Sequence, residues 1–349
     1  MTTRRNFING LIGLSITSVL PFSAHAKNGI SVKKESLLPK ALKKGDTIGL
    51  IAPGYTFTKN TLNETISILE QLGYKVYYTP RILGQYGYFS NTDTERAADI
   101  NHMFTNPLVD AILCLRGGYG CTRIMDLINY DVIAKNPKAL IGFSDVTALL
   151  NGIYKITGLI TFHGPLGSTL NDDYSQKCFK KMLRKPLKKQ SIENPKILDT
   201  NKTNPEYERY VITPGKAEGR LCGGSLSLIN ALVGTPYEID FTNKIVCIED
   251  VEEAPYRIDR MLTQLIEGET FNNAAGIVFG VCAGCNQSND PNSFNLKEVI
   301  MDRIQPLGIP ALYGMGFGHI KQNFTFPIGI KASFNTEVMS IEILEETVK

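Results

Sequence analysis

Short apolar runs alternate with amphipathic segments through the first half of this 349-residue chain, and that alternation leaves few folds open to it. Residues 47–52, Thr-Ile-Gly-Leu-Ile-Ala, make a nearly continuous apolar run that stops at Pro53-Gly54. Residues 61–72 follow with Leu62, Ile66 and Leu69 on one helical face, Thr61 and Glu64 spaced as a capping box, and Gly73 as the stop. The same reading gives a strand at 75–78, a helix at 94–104 and apolar strands at 109–115 and 139–141. Strands that are apolar on both faces must be covered on both, and strand, helix, strand in succession implies crossover connections. The expected fold is therefore α/β, a parallel sheet with helices on both faces, and its functional residues should lie beyond the carboxyl ends of the strands.

Two such strand ends carry unusual residues. Arg116-Gly117-Gly118-Tyr119-Gly120 follows the 109–115 run, and Gly142-Phe143-Ser144-Asp145 follows the 139–141 run, with a helix from Val146. Adjacent strands would set these two loops side by side. A serine on so tight a turn has its hydroxyl held clear of the backbone with helix amides close by, and glycines let backbone N–H groups approach a developing oxyanion. Ser144 equally suits the N-cap of the helix that follows. A phosphate-binding loop fits less well, because the Lys-Ser/Thr ending is missing and the glycine spacing matches no dinucleotide fingerprint.

A nucleophilic serine needs a base, and outside the N-terminal segment the histidines are His102, His163 and His319. His102 falls on an amphipathic helix and reads as a surface residue. His163, in Thr161-Phe162-His163-Gly164-Pro165, reads as a core or turn histidine. His319 closes the glycine-rich loop that begins at Gly314, directly after a strand at 310–313. Glu249 directly follows a strand at 244–248. Ser144, Glu249 and His319 thus all stand at or just past strand ends, and they are the residue types of a nucleophile, base and orienting carboxylate. Cys121, next to the glycine loop, is the rival nucleophile.

The formal net charge of +3 gives no reason to expect a nucleic-acid partner. The length suits two domains, set at 27–170 and 207–349 around a polar, lysine-rich linker at 171–206. The second domain opens on Gly219-Arg220-Leu221-Cys222-Gly223-Gly224-Ser225, with further strands at 275–281 and 310–313. At the N-terminus, Arg4-Arg5 precedes an apolar segment at 8–22 and the small-residue pattern Ser23-Ala24-His25-Ala26. Residues 1–26 therefore read as an export signal of the twin-arginine kind, with a periplasmic mature chain that has no membrane association once the signal is removed. The seven cysteines are odd in number and several lie in apolar strands, which argues against a disulfide framework. Cys282-Ala283-Gly284-Cys285 has metal spacing but no matching second pair, and reads as strand end and loop.

Taken together, these segments resemble the LD-carboxypeptidase family of serine peptidases, the muramoyltetrapeptide carboxypeptidases, which includes the microcin C self-immunity peptidases. The resemblance is carried by Leu42 to Ile48 with Ala52-Pro53, Glu95-Arg96-Ala97-Ala98-Asp99, the glycine loop, Asn136 to Asp145 and Thr161 to Pro165. It continues through Gly234-Thr235-Pro236-Tyr237, Glu249-Asp250, Arg257 to Leu262 and Gly316-Phe317-Gly318-His319. It implies a flavodoxin-like N-terminal domain, a smaller α/β C-terminal domain, an active site between them, no metal or other cofactor, and a homodimer. It also implies Ser144 as nucleophile, His319 as base, Glu249 as carboxylate, and the amides of Asp145 and Gly118, with Gly117 close behind, as the oxyanion hole. The substrate implied is a murein tetrapeptide losing its C-terminal D-alanine. Arg116 and Arg260 are candidates for binding substrate carboxylates, and each suits structural ion pairing as well. One departure is Ser225, where the family has the asparagine of Gly-Gly-Asn. The other readings are a peptidyl-adenylate hydrolase of the microcin C kind and a periplasmic peptide-binding module without turnover.

Overall fold

The computed structural model describes residues 36–195, 204–288 and 290–349, so the segment read as an export signal lies outside the described residues. Fourteen strands in those residues form two sheets. They are β1 Thr47–Ile51, β2 Lys75–Tyr77, β3 Ala111–Cys114, β4 Ala139–Gly142, β5 Thr161–His163, β6 Gln190–Ile192 and β7 Tyr210–Thr213. The rest are β8 Lys216–Ser225, β9 Lys244–Glu249, β10 Gly276–Phe279, β11 Ala311–Tyr313, β12 Phe326–Ile328, β13 Lys331–Asn335 and β14 Ser340–Ile343.

The first sheet runs β12-β5-β4-β3-β1-β2, parallel from β5 to β2, as the apolar runs require. Every residue of β3 and β4 is buried, which is why neither strand alternates in polarity. β12, from the chain's last fifth, pairs antiparallel with β5 and closes that edge. The second sheet runs β6-β14-β13-β8-β9-β10-β11-β7, parallel from β8 to β11 and antiparallel at both flanks. Its β6 comes from the stretch read as a linker. That stretch also holds the helix Asp173–Arg184, which buries Phe179, Met182 and Leu183 and leaves its lysines at the surface. A strand of three residues is too short to show among so many polar residues.

Helix boundaries differ from the sequence reading in one informative place. The helix expected from Thr61 spans Lys59–Gln71 and is capped by Thr58, whose hydroxyl accepts the amide of Thr61. The threonine one turn earlier takes the cap because its backbone is extended there. His102, read as a surface residue, is part-buried and bonds the Tyr77 hydroxyl at 2.9 Å.

The two sheets meet along the helix Thr147–Thr157, which follows the single 3-10 turn Ser144–Val146. Asn151, buried on this helix, donates through Nδ2 to the Gly223 carbonyl at 2.9 Å and accepts the Gly223 amide at 3.0 Å. The Ser225 amide donates to Thr147 Oγ1 at 3.1 Å. Gly224 has to be glycine for this approach, because its φ is +137° and a Cβ would lie 2.4 Å from Thr147 Oγ1. Replacing Asn151 with alanine would leave the N–H and C=O of Gly223 buried without partners, at a cost of about 1–3 kcal/mol for each group. The Asn151→Ala variant is thus expected to lose at least about 2 kcal/mol of stability in urea denaturation, and an unchanged midpoint would contradict the role given to this contact.

Candidate active site

Ser144 sits one residue past the intervening Phe143, at the carboxyl end of β4, with φ at 62°. A non-glycine residue there carries strain of about 1–3 kcal/mol, which surrounding contacts must offset. Phe143 is extended, a single 3-10 turn follows, and the α-helix begins at Thr147 with Val146 as its N-cap and no side-chain cap bond. The helix-cap reading of Ser144 is therefore corrected: its hydroxyl caps nothing and points across the sheet ends, 3.0 Å from His319 Nε2.

His319 lies in the middle of the connection between β11 and β12, and Glu249 is the last residue of β9. The His319 Nδ1 lies 2.8 Å from Glu249 Oε2. Gly318 makes this approach possible, since a Cβ on it would stand 3.0 Å from Glu249 Oε2 while its φ is +116°. The ring of Phe143 meets His319 edge-on with centroids 4.8 Å apart, which fixes the plane of the imidazole. Glu249 is fully buried, and burial alone would raise its pKa; the charge and hydrogen bonds of His319, with a contribution from His163, outweigh that and hold it at about 2. Burial pulls His319 the other way, but the Glu249 carboxylate raises it above the ordinary 6.5. Asp250, beside Glu249, is pushed up to about 7 by burial and by its neighbour's charge, although it accepts the amides of Ser227 and Val251.

The glycine loop stands next to Ser144, as adjacency of β3 and β4 requires. A Cβ on Gly117 would be 3.2 Å from Ser144 Oγ and 3.5 Å from the Asp145 amide nitrogen, so only glycine keeps that space open. Gly118 has φ at +98°, and a Cβ on it would lie 2.4 Å from Cγ of Tyr55. The loop is pinned from three sides. Asp145 Oδ2 accepts the Cys121 amide at 2.8 Å, the Tyr55 amide donates to the Gly117 carbonyl at 3.0 Å, and buried Arg96 donates to the carbonyls of Gly120 and Pro53. Burial raises the Asp145 pKa against the lowering effect of the Cys121 bonds.

Of the residues singled out in the sequence, Ser144, Glu249 and His319 converge, and Gly117 and Asp145 border them. Arg116 is exposed at the rim, where it donates to the Thr56 carbonyl at 2.9 Å and lies over the Tyr55 ring. Arg260, on the helix Pro255–Ile266, stands over Tyr256. Ser225 pairs with Glu249 in the β8–β9 ladder, and its hydroxyl bonds Ser227 Oγ at 3.0 Å. Cys121 is completely buried, and burial together with Asp145 pushes its thiol far above the ordinary range, opposite to what a thiolate nucleophile needs. Sequence reasoning missed Arg96 and Asn151; the only signal for Arg96 was its place in the Glu95 to Asp99 segment. It also read His163 as ordinary core, although its Nε2 lies 3.8 Å from Glu249 Oε1.

A strained serine facing an imidazole backed by a buried carboxylate is equipment for acyl transfer, and with two α/β sheets around it this is the layout of a serine hydrolase. Residues 48–164 match the LD-carboxypeptidase N-terminal domain and residues 218–334 the LD-carboxypeptidase C-terminal domain. The chain is 41% identical over 301 residues to the "probable murein peptide carboxypeptidase" of Bacillus subtilis, covering 85% of this chain and 91% of the relative. It is 29% identical over 345 residues to the microcin C7 self-immunity protein MccF of Escherichia coli, covering 90% and 98%. Among solved structures, MccF in complex with glutamyl sulfamoyl guanosine superposes with a TM-score of 0.80 at 27% identity over 90% of this chain and all of that one. The muramoyltetrapeptide carboxypeptidase of Oxalobacter formigenes gives 0.73 at 27% over 85% and 97%. The chain belongs to the LD-carboxypeptidase family and is a carboxypeptidase of the serine type.

The burial of Cys121 has a direct chemical readout. Iodoacetamide is expected to leave Cys121 unmodified in the native protein and to label it only after unfolding, as followed by peptide mass spectrometry; native labelling of Cys121 as fast as that of half-buried Cys178 would contradict the placement.

Proposed function

We propose that this protein hydrolyses the amide bond before the C-terminal D-alanine of murein tetrapeptides, in peptidoglycan turnover. The observation that carries the proposal is the 3.0 Å approach of His319 Nε2 to Ser144 Oγ, with Glu249 2.8 Å behind the imidazole. The names of the murein peptide carboxypeptidases among its relatives support the choice of substrate. In this mechanism His319 takes the proton of Ser144 as the oxygen attacks the scissile carbonyl carbon. The N–H groups of Asp145 and Gly118 stabilise the oxyanion. His319 then protonates the departing D-alanine nitrogen, the acyl-enzyme forms, and a water molecule deprotonated by His319 releases the shortened peptide. Arg116, exposed at the head of the glycine loop, and Arg260 are the candidates for binding substrate carboxylates. The export signal at 1–26 supports a periplasmic mature chain beginning near Lys27, and the family resemblance supports a homodimer.

Incubation with a muropeptide mixture is expected to yield tetrapeptides shortened by one D-alanine, detected by mass spectrometry. The Ser144→Ala variant should lose about 10⁴-fold or more in rate, and D-alanine release surviving in it would overturn the assignment. Turnover of a peptidyl adenylate in place of tetrapeptides would move the protein to the microcin C side of the family. Tight binding with no product would favour the peptide-binding reading. The base must be neutral to accept a proton, and the Glu249 charge raises the His319 pKa, so kcat/KM is expected to fall as the pH drops, with its midpoint above 6.5. A pH–rate profile flat down to pH about 5 would contradict a histidine base of this kind.

A further inference from the structure

Glu249 has two carboxylate oxygens, and the mechanism uses one. Oε2 meets His319; Oε1 points the other way, toward the Nε2 of His163 at 3.8 Å, with both side chains fully buried. Among the described residues, neither ring nitrogen of His163 nor Glu249 Oε1 has another hydrogen-bond partner. A buried carboxylate oxygen and a buried ring N–H left unpaired are costly, and each is the other's nearest remedy. The imidazole of His163 is held in one orientation by its neighbours. It stacks on Phe326 with centroids 4.5 Å apart and planes 17° from parallel, and Phe143 and Phe317 close on it at 5.8 and 5.9 Å. Its backbone is fixed between β4 and β12, in register with Gly142 and Phe326. The gap to Glu249 exceeds a hydrogen bond by less than 1 Å, and bonds of this sort tighten as an active site engages its substrate.

We propose that His163 is a positioning residue: neutral, with its proton on Nε2, it donates to Glu249 Oε1 and so fixes the carboxylate with Oε2 aimed at His319. This rests on the triad reading of the preceding subsection and extends it to a fourth side chain, acting through Glu249 and touching no substrate. The other titratable groups that face Glu249 and His319 are Asp250, Glu252 and Cys282, and none of them offers an N–H donor side chain. Without the donor, the carboxylate is more basic and its pairing with the His319 proton tighter, so the dyad takes up its proton at higher pH.

The test compares His163→Phe, which keeps a ring in the aromatic box but has no donor, with His163→Gln, whose side-chain amide reaches about as far as Nε2. For D-alanine release from tetrapeptide, His163→Phe is expected to lower kcat with little change in KM and to move the acid limb of kcat/KM up by about one pH unit. His163→Gln should return the limb to the wild-type position. A His163→Phe limb at the wild-type position overturns the inference, whatever its rate. Ser144→Ala and His319→Ala run in parallel separate the two levels: if they are inactive while the His163→Phe limb stays put, only the role of His163 fails. If they retain activity, the triad reading fails. Should His163→Phe not fold, as judged by circular dichroism, ¹⁵N NMR of the wild-type imidazoles decides. A neutral His163 protonated on Nε2 sustains the inference, and the Nδ1-protonated tautomer overturns it.

Discussion

Everything at the active site depends on how the helix behind Ser144 is fastened to the second sheet. Ser144 belongs to the first sheet, Glu249 and His319 to the second, and their hydrogen bonds tolerate errors of only a few tenths of an ångström. The paired bonds of Asn151 with Gly223 set that distance, because they tie the backbone of β8 to the first turns of the helix that carries the serine at its head. β9 lies next to β8 in parallel register, with Glu249 opposite Ser225. From one side-chain amide to the carboxylate there is thus an unbroken path of backbone hydrogen bonds. A contact made through a flexible side chain such as lysine would hold the same surfaces together without fixing their relative height.

Strain and electrostatics then divide the work. The left-handed backbone of Ser144 pushes its hydroxyl out of the sheet, and that costs energy which the buried strands and the pinned glycine loop supply. Glu249 carries the opposite kind of cost, a charge taken out of water. It keeps that charge because imidazoles stand on both sides of it, and its ionised form is what makes His319 a stronger base than a free histidine. Asp145 uses the same economy on a smaller scale, holding the amide of Cys121 and with it the shape of the loop that borders Ser144.

Much of this was legible in the sequence. Uninterrupted apolar runs announced buried parallel strands, and parallel strands direct attention to their carboxyl ends, where Ser144, Glu249 and His319 all stand. What the pattern could not carry was anything decided between distant segments. β6 and β12 are three residues long, too short to show a period, and their places in the sheets follow from which edges were left open. The cap at Thr58 was masked by an equally good signal at Thr61. His163 looked like core because it is core: its neighbours along the chain say nothing of a carboxylate arriving from the other sheet. Asn151 was invisible for the same reason, being a polar residue within a helix whose partner lies 72 positions away.

The placement of β12 bears on the life of the chain before it is finished. Until Phe326–Ile328 has been made, β5 is an open edge of the first sheet, and the ring that stacks on His163 is missing. The last residue, Lys349, is bonded to Pro39 and Ala41 near the start of the described fold. A nascent chain therefore cannot complete its first sheet until β6 to β11 of the second have been made, and Ser144 is synthesised long before the strand that closes the sheet next to β5. The two sheets are thus interleaved along the chain, the first closing only after six strands of the second have been made and before its last two.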